Sequence, residues 1–178
     1  MDLNMDLALI DPDVRSEAVT GRGWSRAAMS TAYRAIPAAA LSGPLVAQLQ
    51  SAMGFGDLAA EGPYTIGEVS DHLHVSLRTL RFYEQSDMVH PRRDGTQRLY
   101  SRADVDRLRL IVALRALEAS VAEIATLLGK LATFDDGRAG DAAIEGLLMA
   151  IYSSNHDRAA ALAESNRRIQ RLLVRRGD

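Results

Sequence analysis

The chain has 178 residues, 47% of them hydrophobic, with 21 basic and 23 acidic side chains for a net charge of −2. That length accommodates one sizeable domain with appendages and argues against a second full domain. The absence of cysteine excludes disulfides, thiolate metal sites and a cysteine nucleophile, and the slightly acidic balance argues against indiscriminate binding to nucleic acid.

Residues 1–62 carry four arginines and seven acidic residues, net −3. Gly21, Gly23, Pro37, Gly43, Pro44, Gly54 and Gly56 interrupt any regular pattern. Two short helices are candidates, 24–36 with Ala27, Ala28, Ala32 and Tyr33 on one face, and 45–53. Too few bulky apolar residues are present for an independent core, so the segment reads as a largely disordered extension. Three readings stay open: a regulatory arm that binds a partner protein through Trp24 and Tyr33, a disordered tail, or codons upstream of a start near Met53. The opening MDLNMD is wrong for a signal peptide, and no apolar run nears the ~20 residues that cross a bilayer, so no membrane partner is predicted.

The stretch 64–100, YTIGEVSDHLHVSLRTLRFYEQSDMVHPRRDGTQRLY, organises the rest. Thr65 with Glu68 three residues on is a capping box, followed by Ile66, Val69 and Leu73 at helical spacing. Val75-Ser76 breaks that helix, and Ser76 caps a second one that carries Leu77, Leu80 and Tyr83 inward, with Phe82 also in the core. Two short helices with a tight turn form a helix-turn-helix, whose second helix enters a DNA major groove. Asp94-Gly95 is a hairpin turn signal, and Leu99 and Tyr100 favour a strand, so a two-stranded wing is predicted after Pro91. The case for DNA rests on clustering: Arg78, Arg81, Arg92, Arg93, Arg98 and Arg102 stand against Glu84, Asp87 and Asp94.

The residues 75–84 (VSLRTLRFYE), Met88-Val89, Pro91-Arg92-Arg93, Arg98-Leu99-Tyr100-Ser101 and Asp104-Val105 together resemble the MerR family of bacterial transcriptional regulators. The resemblance covers about residues 63–131 and extends plausibly through the C-terminal helix, but not the first 62 residues. It implies a dimer joined by an antiparallel pair of long helices. It also implies a pseudo-palindromic promoter with an over-long spacer, distorted so that RNA polymerase reads both promoter elements. Arg81, Tyr83, Arg98 and Tyr100 match family positions that hold the DNA backbone. On chemical grounds Arg78 reaches guanine edges or phosphates, and Thr79 a phosphate or a thymine methyl. Ser76, Arg92 and Arg93 complete the predicted DNA-binding set.

After the wing, Ser101 with Asp104 starts a helix that buries Val105, Leu108, Ile111, Val112 and Leu114. Ser120 with Glu123 caps the next helix, 121–131, with Ile124, Leu127 and Leu128 inward. The family's second wing between these helices usually carries Gly-Phe, where this chain has Glu118-Ala119, at a position that often needs positive φ. Residues 132–140 are a hinge of turn residues, and a long helix follows in 141–178. Its seam is Ile144, Leu148, Ile151, Asn155, Arg158, Leu162, Ser165, Ile169 and Leu172, spaced alternately by four and three. A lone helix cannot bury such a stripe, so dimerisation is predicted, with packing back onto the chain's own domain as the alternative.

His72, His74, His90 and His156 do not present a ligand set, and no acid–base constellation, nucleophile elbow or phosphate loop is found, so no metal, cofactor or catalytic residue is predicted. The sequence therefore reads as a mainly α protein: a winged helix-turn-helix with a small β-hairpin wing, then a long dimerisation helix. The corresponding function is a cytoplasmic, nucleoid-associated homodimer that regulates transcription at a promoter. The alternative is a DNA-organising or protein-binding adaptor that uses the same fold for assembly.

Overall fold

The computed structural model describes residues 35–59 and 61–174. The candidate helix at 24–36, with Trp24 and Tyr33, lies almost wholly outside the described residues. In chain order the described elements are a 3-10 turn Ala38–Leu41, α1 Pro44–Ala52, β1 Tyr64–Thr65, α2 Ile66–Leu73, α3 Leu77–Gln85, β2 Arg92–Asp94, β3 Gln97–Tyr100, α4 Arg102–Ala116, α5 Val121–Leu131 and α6 Gly137–Val174.

The helix starts that the capping residues Thr65, Ser76, Ser101 and Ser120 mark are made as marked. Thr65 N–H donates to Glu68 Oε2 at 2.7 Å, while Glu68 N–H donates to Thr65 Oγ1 at 3.3 Å. The same reciprocal box opens α4 with Ser101 and Asp104, and α5 with Ser120 and Glu123. Each box satisfies backbone donors that a helix start otherwise leaves unpaired. Between α2 and α3 the chain reverses through His74 at φ 54°, and Ser70 Oγ donates to the Val75 carbonyl at 2.6 Å, which closes the turn.

The wing gains a strand. β2 and β3 pair antiparallel with Arg93 opposite Arg98, and Gly95 takes the loop at φ 57°. β3 also pairs with β1, setting Tyr64 opposite Tyr100 and Thr65 opposite Leu99. The wing is thus tied directly to the residue that caps α2. α4 is the central post, with Val105, Leu108, Leu110, Ile111 and Leu114 fully buried. At about 1.5–3 kcal/mol for each buried Leu, Ile or Val, these side chains are a large part of what stabilises the reading head.

Three expectations are corrected. First, part of the presumed disordered extension is packed: Ala40 and Val46 are buried, and α1 lies against α4 and α6. Second, α6 begins at Gly137, so the hinge contracts to 132–136. Third, the apolar seam is split. Ile144 and Ile151 are buried in the chain's own core with Leu148 packed beside them, whereas Leu162, Ile169 and Leu172 are exposed. The first three therefore support the reading head within one chain, because α5 and α1 lie against that end of α6.

Candidate nucleic-acid interface

α3 is the element on which the interface depends. Ser76 Oγ accepts the Thr79 N–H at 3.1 Å, which fixes the first turn. Leu80 and Tyr83 are buried against the core. The opposite face carries Leu77, Arg78, Arg81 and Gln85, all exposed, beside the exposed Ser76. This differs from the sequence reading by a small rotation: Leu77, expected inside, is 40% exposed, and Thr79, expected outside, is 2% exposed. Thr79 Oγ1 lies 2.9 Å from Ser76 Oγ, so its hydroxyl is used inside the capping turn. Thr79 is therefore removed from the predicted DNA contacts.

Burial also governs the two tyrosines. Tyr83 is buried, burial pushes its hydroxyl up to about 12, and the Arg115 guanidinium beside it opposes that shift. Tyr100 is fully buried; burial pushes its pKa up to about 12, and the Glu84 carboxylate adds to the shift. Its hydroxyl has no hydrogen-bond partner among the described residues. Both rings are core, and the Tyr100 hydroxyl is covered by the fold.

Arg92 and Arg93 are exposed on β2, and Arg98 is partly buried on β3. Arg93 and Arg98 share a partner that the sequence reading set aside as a mere counter-charge. Arg98 Nε donates to Glu84 Oε2 at 2.5 Å, and Arg93 Nη2 donates to Glu84 Oε1 at 2.7 Å. One carboxylate on α3 thus grips both strands of the hairpin, fixing the wing relative to the helix. Burial alone would push the Glu84 carboxyl up, but the hydrogen bonds and charges of Arg98 and then Arg93 hold it below its ordinary value. Hydrogen bonding to Glu84 likewise raises Arg98. No sequence signal marks Glu84 as a clamp, since its partners lie nine and fourteen residues away on another element.

The second wing differs from the first. Glu118 adopts φ 70°, the left-handed conformation anticipated there, although it is not glycine. Its carboxylate pairs with Arg158 of α6 at 3.5 Å, which draws one predicted seam residue toward the reading head. Among the described residues no group of His, Asp and Glu is arranged to hold a metal ion. No described helix is long and apolar enough to cross a membrane.

The architecture defines a winged helix-turn-helix, a DNA-binding domain with an arginine-bearing helix face beside an arginine-bearing wing. Residues 64–131 match the family described as MerR HTH family regulatory protein. The HTH-type transcriptional regulator HmrR of Rhizobium leguminosarum bv. viciae is 28% identical over 109 residues, 61% of this chain and 82% of that protein. The mercuric resistance operon regulatory protein of Bacillus cereus is 36% identical over 69 residues, 37% of this chain and 52% of that protein. Residues 64–131 are therefore similar to the helix-turn-helix domain of the MerR family and to these two regulators.

Proposed function

We propose that the protein is a dimeric, sequence-specific transcriptional regulator that binds a pseudo-palindromic promoter site and distorts it to control transcription, with RNA polymerase acting at the same promoter. The observation that carries this reading is the exposure of Ser76, Arg78 and Arg81 on α3 and of Arg92 and Arg93 on the wing, which Glu84 ties to that helix. Arginine at the start of a recognition helix has the geometry for guanine edges, and arginine on a wing suits phosphates. Arg98 contributes in a second manner, by holding the wing through Glu84.

The exposed apolar positions Leu162, Ile169 and Leu172 on the distal half of α6 support dimerisation there, with Asn155 and Ser165 also exposed along the seam. A two-fold protein suits a two-fold site, and bending or untwisting that site costs on the order of several kcal/mol that the paired heads offset. A DNA-bound regulator with this domain belongs in the cytoplasm. The test is genome-wide DNA occupancy, with the mass of Leu162→Asp measured in parallel by sedimentation. A few sharp sites that share a palindrome, and a monomeric variant, are the expected results. Broad or absent occupancy would overturn the regulator reading, and an unchanged mass would overturn the seam.

A further inference from the structure

The N-terminal segment 38–58 touches three elements that are far apart in sequence. At one end it meets the base of α6. α1 has Gly43 as its N-cap, with no side-chain cap of its own and Pro44 in its first turn. The cap comes instead from Asp141 of α6: Leu45 N–H donates to Oδ2 at 3.0 Å and Val46 N–H to Oδ1 at 3.4 Å. A carboxylate there pairs otherwise open donors and favours the positive end of the helix dipole. At Gly140 the approach is backbone to backbone. A Cβ on Gly140 would lie 2.0 Å from the Ala40 carbonyl oxygen, and one on Gly43 would lie 2.2 Å from Asp141 Oδ1.

In the middle, Val46 is buried and α1 packs on α4, the post of the reading head. At the far end the segment grips α2. Gly56 N–H donates to the His72 carbonyl at 2.8 Å, and the Phe55 ring sits 5.9 Å from the His72 ring. The segment therefore spans from the base of α6, across α4, to the first helix of the helix-turn-helix. The direct covalent link between reading head and α6 is only the short stretch 132–136.

The geometry points to a strut: residues 38–58 fix the angle between α6 and the reading head, and thereby select which half-site separation the protein accepts. This rests on the dimeric reading above. The leverage is large. From Ile151, the last buried position among the described side chains of α6, to Leu172 is roughly 30 Å at about 1.5 Å per residue. A tilt of about 5° at the base then moves the distal seam by about 3 Å, close to the ~3.4 Å of one base-pair step. A dimer joined through those distal positions carries the tilt twice, once per head. An unbraced base would spread the heads over several registers, and a braced one holds them to one.

The test uses the full chain and a panel of duplexes carrying two half-sites, taken from an occupied site, whose separation varies in single base-pair steps. Wild-type protein is expected to prefer one separation at least tenfold over its neighbours. Asp141→Ala, which uncaps α1, and Phe55→Ala, which loosens the opposite end, are expected to reduce that preference below threefold while sedimentation still reports a dimer. Asp141→Asn, which keeps an acceptor oxygen, should restore most of it. Should Asp141→Ala fail to fold, Phe55→Ala carries the test. Variants that retain the wild-type spacing profile would overturn the strut, as would a wild-type protein indifferent to spacing. Wild-type protein that binds no duplex of the panel would instead refute the regulator reading itself.

Discussion

The clamp between α3 and the wing makes a quantitative prediction. Glu84 is 17% exposed at its side chain, Arg98 24% and Arg93 56%. A charge-assisted hydrogen bond in a partly buried setting is worth about 1.5–3 kcal/mol, whereas an exposed ion pair is worth about 0–1 kcal/mol. After a discount for the solvent that still reaches the pair, the Glu84–Arg98 bond should contribute about 1–2 kcal/mol and the Glu84–Arg93 bond less than about 1 kcal/mol. Glu84→Ala should then cost about 2 kcal/mol in total, a fall in Tm of about 4–8 °C for a chain of this size.

Double-mutant cycles in urea separate the two bonds. The coupling of Glu84 to Arg98 should exceed its coupling to Arg93, and only the latter should vanish in 1 M salt, where the Debye length falls to about 3 Å. The pH dependence has a fixed sign. The folded-state carboxyl is held below its unfolded value, so the clamp is fully present above the unfolded pKa and is lost as pH falls through the folded one. A Glu84–Arg98 coupling below about 0.5 kcal/mol, or one erased by salt, would refute the claim that this pair anchors the wing.

Three other perturbations test separate parts of the structure. Glu118→Gly relieves a left-handed residue, a strain of about 1–2 kcal/mol, and loses an exposed pair with Arg158, so a net gain of about 0.5–1 kcal/mol is expected in denaturant unfolding, and a loss would contradict the backbone assignment. Tyr100→Phe removes a buried, unpartnered hydroxyl and should be neutral or stabilising by up to about 1 kcal/mol, with DNA affinity unchanged; a tenfold loss of affinity in anisotropy would put that hydroxyl back on the phosphate backbone. His72 is buried, its pKa is lowered by burial and then by Arg109, and its Nε2 accepts from Arg109 Nε at 3.0 Å. The unfolded chain therefore binds the proton first, and stability should fall as pH drops below about 6.5, at up to ~1.4 kcal/mol per pH unit. His72→Gln should flatten that slope, and an unchanged slope would remove His72 as its source.

The resemblance to a known family and the local code agree over the reading head because the code there is local. The capping pairs Thr65–Glu68, Ser101–Asp104 and Ser120–Glu123 each lie within four residues, and the Asp94-Gly95 turn closes its own hairpin. Such signals depend on neighbours along the chain and survive without knowledge of the rest. The face of α3 was harder to read. Leu77 and Thr79 exchange places because the inward direction is set by which elements pack on the helix, and hydrophobicity at a single position does not encode that.

Residues 35–59 illustrate the opposite case. Its glycines resemble the composition of a disordered tail, yet Gly43 sits where the Asp141 carboxylate closes on the chain, and the acceptor for α1 comes from a residue 96 positions away. The heptad stripe of α6 was legible as apolar but silent about its partner: Ile144 and Ile151 meet the chain's own core, while Leu162, Ile169 and Leu172 meet no described residue in a buried contact. By itself, then, the sequence determined the capped helix starts at Thr65, Ser76, Ser101 and Ser120 and the wing turn, because those follow from interactions a few residues in range. Only the tertiary structure decided which side chains are spent inside the fold. It turned Thr79 and Tyr100 inward, gave Glu84 to two arginines and bound the N-terminal segment to α6, because burial and long-range hydrogen bonds depend on which elements meet in space.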